Sequence, residues 1–175
     1  MSETPFQKVK SEQSLMEKIA TLVPGYRGYK LKELRREADK LIRNYLYQQL
    51  KQGENDLKSV LQRLVDSKLT DMWTDVDRLI TDLDTVASEI NHASYGYAGF
   101  FDAVRVNEKR LNNMLDFDGK LVDNVSSLTT KIKQFKGDIL NKHFESTKTY
   151  MDDIRVTLDL LHNSYIERTN VVHGV

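Results

Sequence analysis

Hydrophobic residues recur every three or four positions along most of the chain, the spacing expected of helices that bury one face. The first such run begins beside Pro5 and stops at Pro24, which predicts a short N-terminal helix. A second helix is predicted over residues 29–52, ending at Gly53 because glycine commonly closes helices. Its apolar stripe is predicted to contain Leu31, Leu34, Ala38, Leu41 and Tyr45.

The most regular apolar pattern lies in the middle of the chain and predicts a third helix over residues 54–92, about 58 Å long. Its steps of three and four are sustained over four heptads, which favours coiled-coil packing against a partner helix. The positions that form the pattern are Leu61, Val65, Leu69, Met72, Val76, Leu79, Leu83, Val86 and Ile90.

A similar pattern runs through residues 102–169, with Asp118 and Thr129 as polar interruptions. One uninterrupted helix over this range would be about 100 Å long, so a turn is predicted, at Gly137 in preference to Gly119. The fold is therefore predicted to be all-α, with a single domain over residues 1–175. Its architecture is an elongated antiparallel helical bundle or coiled coil, with three long helices and two shorter N-terminal helices.

Composition narrows the possible environments and chemistries. The 26 basic and 26 acidic residues give a formal net charge of zero, so any attraction to nucleic acid or membranes must come from a local patch. The absence of cysteine excludes disulfides, a thiolate nucleophile and cysteine-ligated zinc. No signal-peptide pattern or transmembrane segment is apparent, and a soluble, cytoplasmic protein is expected.

Local charge is uneven, and the helix over residues 27–43 is basic. Gly25 and Gly28 would let backbone amides approach a phosphate, and the start of a helix adds a positive dipole end. We predict a candidate anion-binding site here, although a solvated face that complements acidic neighbours explains the same pattern. Helical spacing places Lys32, Arg36, Lys40 and Arg43 on the side facing solvent or a partner. The candidate residues are Arg27, Lys30, Lys32, Arg35, Arg36, Lys40 and Arg43.

Residues 91–104, NHASYGYAGFFDAV, combine four aromatic residues with two glycines between the two long apolar patterns. This position predicts a joint where the chain reverses, with the rings capping the end of the bundle. An exposed pocket or dimer contact remains the alternative. The aromatic candidates are Tyr95, Tyr97, Phe100 and Phe101 in this segment, together with Tyr26 and Tyr29 beside the basic helix, which offer rings for stacking on bases.

Two carboxylate-x-x-histidine pairs invite comparison with helical metal sites, Glu89 with His92 and Asp159 with His162. Helical geometry directs the first pair and Asp159 away from the apolar faces, so we predict no metal and no cofactor. No nucleophile elbow or recognisable catalytic triad occurs, and the protein is predicted not to be an enzyme.

Three segments carry a family resemblance: PGYRGYKLKELRREADKLIR at residues 24–43, SYGYAGFFDAV at 94–104 and LDFDGKL at 115–121. Together they resemble an uncharacterised family of small, soluble, all-helical prokaryotic proteins. The resemblance covers the middle half of the chain and implies no activity, substrate or active-site residues. It does imply that the basic and aromatic segments lie together in space.

Three functional hypotheses follow from these patterns. The leading one is a non-enzymatic interaction or scaffolding protein that forms a homo-oligomer or docks a protein partner. The first alternative is a binder of an anionic surface, either nucleic acid or phospholipid, through the basic helix. The second alternative is a ligand-binding or metal-binding helical bundle.

Overall fold

Most of the part of the chain that the structure describes is helical. This computed structural model describes residues 5–31, 34–93 and 108–173. Among them are five α-helices and no strand, which confirms the predicted all-α class. The helices are α1 (Pro5–Leu22), α2 (Arg35–Asp66), α3 (Trp73–His92), α4 (Glu108–Leu140) and α5 (Thr147–His173), with a 3-10 turn at Thr70–Met72. Within the described ranges, no helix has the length and apolar character needed to cross a membrane.

The helices share one hydrophobic core. The most extensive contacts join α4 to α5, α2 to α3 and α2 to α4. Because α3 also touches α5, these four helices close around the core, and α1 lies outside them against α4. Leucine, isoleucine and valine side chains from all five helices fill the interior, and their burial provides the main stabilisation of the fold.

Contacts between α4 and α5 show how these two helices are aligned. Asn124 pairs with Ser164 through a 3.2 Å hydrogen bond, and Lys131 donates to Thr157 at 2.9 Å. Near the connection the rings of Phe135 and Tyr150 stack with centroids 5.4 Å apart. Residues early in α4 thus face residues late in α5, as the short connection requires.

The first helix packs on its own chain. Ile19 is fully buried, and Leu15 lies against Gly119 of α4. Polar contacts add to this apolar contact, since Asn112 donates to Glu12 at 2.7 Å. One face of α1 consequently packs into the shared core, and α1 is not a separate element.

Two predicted helix boundaries are wrong. Gly53 does not end a helix, because α2 continues through it to Asp66. Gly53 instead allows close packing, since an added Cβ would lie 3.1 Å from Ile132 and 3.6 Å from Leu83. The predicted helix over residues 54–92 is broken after Asp66, where Lys68 adopts a left-handed conformation with φ of 59°. The apolar spacing continues across this break, which explains why the pattern suggested one helix.

The predicted turn near Gly137 is misplaced by a few residues. Helix α4 continues to Leu140, and Lys142 then turns the chain with φ of 64°. Gly119 also lies inside α4, where the side chain of Leu15 occupies the space beside it. In this protein, glycine within an apolar pattern marks close helix contacts more often than a helix end.

A pair of glycine substitutions tests this distinction between positions. Gly28 has φ of +70°, and an added Cβ would lie 2.9 Å from the Met16 sulfur, so Gly28→Ala should destabilise the protein by about 1–2 kcal/mol. Gly137 is helical with no atom near its missing Cβ, so Gly137→Ala should stabilise it by about 0.5–1 kcal/mol. Urea denaturation measures both changes, and shifts of the same sign would contradict the assignment.

Helix α2 also buries a carboxylate, Glu54, that accepts hydrogen bonds from Lys51 and Lys58. Burial favours a raised pKa, but these lysine contacts outweigh it and lower the pKa of Glu54 below its ordinary value of 4.5. The lysine contacts of Glu54 therefore stabilise the folded state fully above about pH 4.5, and this stabilisation is lost as the pH falls through the folded-state pKa.

We expect Glu54→Gln to cost about 1 kcal/mol at neutral pH, since both lysines are partly exposed. The difference from the wild-type protein should shrink as the pH is lowered from about 6 to about 3. Chemical denaturation across this range is the measurement, and a difference independent of pH would contradict the expected linkage.

Candidate functional site

A buried polar cluster lies where the α1 to α2 connection meets α2, α4 and α5. We call it the Arg168 cluster, and each of its members is at most 7% exposed. Side chains of this kind are rarely buried unless they are paired, so the arrangement of their contacts determines what the cluster does. Its members are Tyr26, Tyr29, Asp39, Arg43, Asp118 and Arg168.

Arg168 of α5 is the centre of the cluster and is fully buried. Its Nε donates to Asp118 at 2.8 Å, and its Nη2 donates to Asp39 at 2.8 Å and to the Tyr29 hydroxyl at 3.0 Å. Burial alone would lower the pKa of Arg168, but Asp118 and Asp39 keep it well above the ordinary value. A permanently charged guanidinium thus bridges α2 and α4.

Asp118 of α4 accepts every hydrogen bond that it makes in the cluster. The hydroxyls of Tyr26 and Tyr29 donate to its Oδ2 at 2.9 and 2.6 Å, opposite the Arg168 contact at Oδ1. Burial and the Asp118 charge raise the pKa of both tyrosines, so both stay protonated and act as donors. Burial also raises the pKa of Asp118, against the opposing effect of Arg168.

Arg43 extends the cluster to the end of α3. It donates through Nε to Asp39 at 2.9 Å and through Nη1 to the backbone oxygen of Asn91 at 3.2 Å. Beside it, Arg35 donates to the backbone oxygen of Tyr29 at 2.9 Å. The cluster therefore fixes the positions of four helices and of the connection before α2.

Burial limits the chemical roles that the side chains of the cluster can have. Apart from Arg168 Nη1, which has no hydrogen-bond partner among the described residues, the donors of Arg168 are engaged within the chain. A cavity of about 270 Å³ lies nearby, but its lining contains none of the cluster members. The cluster consequently positions helices and does not present reactive groups to solvent. Gly25, Arg27, Leu34, Glu37 and Ala38 line the cavity.

The predicted anion-binding residues divide into exposed and buried groups. Arg27, Lys30, Arg36 and Lys40 are exposed, whereas Lys32 lies outside the described residues. The prediction that Arg43 faces solvent is wrong, and Arg35 is buried as well. The buried stripe of α2 runs through Ala38, Ile42, Leu46 and Leu50, whereas the predicted stripe continued from Ala38 to Leu41 and Tyr45. The buried face is therefore rotated by about one residue, and this rotation places Arg35 and Arg43 in the interior.

The predicted aromatic contacts are described only in part. Tyr26 and Tyr29 are buried with their rings packed edge to face, 6.1 Å between centroids, so neither ring is available to stack on a base. Tyr95, Tyr97, Phe100 and Phe101 lie outside the described residues. The proximity of the basic and aromatic segments remains a prediction, although Arg43 does reach Asn91 at the beginning of the aromatic stretch.

The two carboxylate-x-x-histidine pairs contact each other across α3 and α5. His162 lies 2.7 Å from Glu89, and both side chains are more than one third exposed. In the described part of the chain, no group of three or more histidine or acidic side chains is arranged to hold a metal ion. The pair links two helices at the surface.

A second candidate site is the outer face of α5. Val156 and Leu160 are 59% and 55% exposed, although the opposite side of this helix packs into the core. At about 100° per residue, no lysine or arginine of α5 lies within about 60° of Val156. We call this surface the acidic α5 face, comprising Asp152, Asp153, Val156, Asp159, Leu160 and Glu167, all of which are exposed.

A third surface surrounds the start of α2. Leu31 is 55% exposed there, and the described residues 25–31 and 34–40 add four exposed bases and one exposed acid, Glu37. Leu34 at the helix start makes no side-chain capping bond. We call this surface the basic entry surface, comprising Arg27, Lys30, Leu31, Arg36 and Lys40.

Sequence reasoning missed Arg168 and the acidic α5 face, although both have a signal in the sequence. Arg168 stands seven residues after Leu161 and fourteen after Ile154, so it occupies a core position of the apolar pattern. Val156 and Leu160 stand four residues apart on the opposite side, surrounded by acids. A base at a core position and apolar residues at an outer position both depart from simple amphipathic patterning.

Comparisons of the chain with models of protein families, with curated proteins and with solved structures found no match.

Proposed function

We propose that this protein is a non-enzymatic interaction or scaffolding protein, an elongated antiparallel bundle that self-associates or docks a protein partner. The observation that supports the proposal is the acidic α5 face, where Val156 and Leu160 are more than half exposed. Neighbouring large aliphatic side chains that stay exposed on a helix and are bordered by polar groups mark a candidate docking surface.

The Arg168 cluster supports the same function because it holds α5 in a fixed position. Arg168 lies eight residues after Leu160, about 12 Å along the helix, and its contacts join α5 to α2 and α4. A preorganised helix face loses less conformational entropy on binding than a mobile one. The buried network thus favours a constant docking surface.

Affinity capture from extract of the native cells, with nuclease treatment, tests the proposal. The wild-type protein is expected to recover protein, either its own copies or another chain, and Val156→Ser/Leu160→Ser should lose that recovery. Leu140→Ser is the matched control, since Leu140 is 52% exposed at the end of α4 and outside the face. Recovery that is the same for all three proteins would contradict the proposal.

The cavity beside α2 favours a second candidate function, which is binding of an anionic surface such as nucleic acid or phospholipid. Arg27 lines this cavity at the uncapped start of α2, where backbone N–H groups and the helix dipole favour negative charge. Arg27→Glu/Lys40→Glu should then weaken binding of RNA, DNA or anionic vesicles and reduce its dependence on salt. Asp77→Lys/Asp82→Lys is the control for the size of the charge change. Binding that survives in Arg27→Glu/Lys40→Glu would exclude this function.

A further inference from the structure

The acidic α5 face and the basic entry surface have complementary compositions. The acidic α5 face presents two large exposed aliphatic side chains, Val156 and Leu160, and the basic entry surface presents one, Leu31. The first surface adds four acids and no base. Among the described residues, the second adds four exposed bases beside the exposed acid Glu37, and Lys30 keeps a side-chain exposure of 67% despite its 3.8 Å approach to Glu12.

We infer that the acidic α5 face docks on the basic entry surface of a second copy of this chain. The inference rests on the proposed function and names the partner. Both surfaces are exposed, so they do not cover each other within one chain, and a second molecule can bring them together. With a formal net charge of zero, two copies meet without overall repulsion while their local patches attract.

The two surfaces lie at opposite corners of the bundle, because α2 and α5 each pack against both α3 and α4. Arg168 of α5 bonds to Tyr29, which lies next to Lys30 of the basic entry surface. Val156 and Leu160 lie eight to twelve residues before Arg168, about 12–18 Å along α5. The contact is therefore heterologous: the acidic α5 face of one copy meets the basic entry surface of the next, and a dimer keeps one uncovered surface of each kind.

Sedimentation velocity over a concentration series tests the inference with the full chain. At about 50 mM salt the wild-type protein should form dimers and, at higher concentration, longer oligomers. At about 500 mM salt the association constant should fall, because exposed charges are screened. Asp152→Lys/Asp159→Lys and Arg27→Glu/Lys40→Glu should each weaken association by about tenfold or more. Asp77→Lys/Asp82→Lys on α3 is the matched control and should leave it unchanged.

Mixing the two reversed variants gives the most specific result. The acid-reversed chain carries two basic surfaces and the base-reversed chain carries two acidic ones, so an equimolar mixture should form heterodimers although neither variant dimerises alone. All substituted residues are exposed, and circular dichroism confirms that each variant stays helical. Val156→Ser/Leu160→Ser should also abolish the dimer without changing any charge.

A wild-type chain that stays monomeric to about 500 μM at low salt overturns the inference, as does a dimer that charge reversal leaves intact. Capture of a different protein through the acidic α5 face, with no dimer, would overturn the inference and leave the proposed function in place. If the protein neither forms a dimer nor captures another protein, that result would contradict both the inference and the proposed function.

Discussion

Replacing Arg168 with methionine is expected to lower the free energy of unfolding by about 3–5 kcal/mol. The substitution retains an unbranched side chain but removes the cation that faces Asp39 and Asp118, both of which are at most 3% exposed. Asp118 would then be buried without the cation that bonds to it, and Asp39 would keep only its contact with Arg43. Urea denaturation monitored by circular dichroism gives the change in stability at pH about 7.

The penalty should also depend on pH. Burial raises the pKa of Asp118, and loss of Arg168 raises it further, so the folded variant takes up a proton at a higher pH than the unfolded chain. Stability gained by that protonation is present at low pH and lost as the pH rises. The difference between wild type and Arg168→Met should therefore be smaller at about pH 5 than at about pH 8.

Two controls separate this effect from a general loss of arginine. Arg155 is partly exposed on the same helix, and Arg155→Met should change stability by about 0.5 kcal/mol or less. Arg168→Lys keeps a charge but loses the planar arrangement of donors, so it should fall between the wild type and Arg168→Met. If Arg168→Met and Arg155→Met cost the same, the cluster does not stabilise the fold.

Replacing Phe135 with alanine is expected to cost about 3–5 kcal/mol through a different mechanism. Phe135 of α4 is fully buried and stacks on Tyr150 with an interplanar angle of 22°. Truncation removes that contact and leaves a cavity between α4 and α5, and the neighbouring helices can close it only in part. Thermal and urea denaturation both measure the loss.

Phe117 offers the matched control on the same helix, because its ring is only partly buried and lies under the Lys120 ammonium at 4.9 Å. Phe117→Ala should cost about 1 kcal/mol or less. Asp118 and Phe135 are about 25 Å apart along α4. The milder changes Arg168→Lys and Phe135→Leu should consequently add within about 0.5 kcal/mol when combined, and strong coupling would contradict independent sites.

Periodicity predicted the helical class and many core positions, because burial of one helix face imposes a spacing that the sequence records directly. The residues Asp118 and Thr129 interrupt that spacing, and both are indeed buried. The ends of the helices were harder to predict from the sequence. Lys68 and Lys142 turn the chain without glycine, whereas Gly53 and Gly119 lie within helices because neighbouring side chains approach them closely.

The candidate site was harder to predict because its partners are far apart in sequence. Asp39 and Arg168 meet only after α2 and α5 are packed, and the charge of each residue alone suggests an exposed position. A small rotation of α2 about its axis also decides whether Arg43 faces solvent or Asp39. Periodicity located the buried face of α2 to within one residue. A shift of one residue is enough to decide whether Arg43 is exposed or buried.

The hydrogen bond between Tyr29 and Arg168 spans 139 positions of the chain, and this has a consequence for biosynthesis. A ribosome completes Tyr29 and Asp39 long before it reaches α5, so the nascent chain holds Asp118 without the guanidinium that bonds to it, while Asp39 has only Arg43. Closure around these carboxylates must therefore be a late event of folding, after helices with more local contacts have formed. Until α5 is synthesised, the water around the growing chain serves Asp118 in place of Arg168.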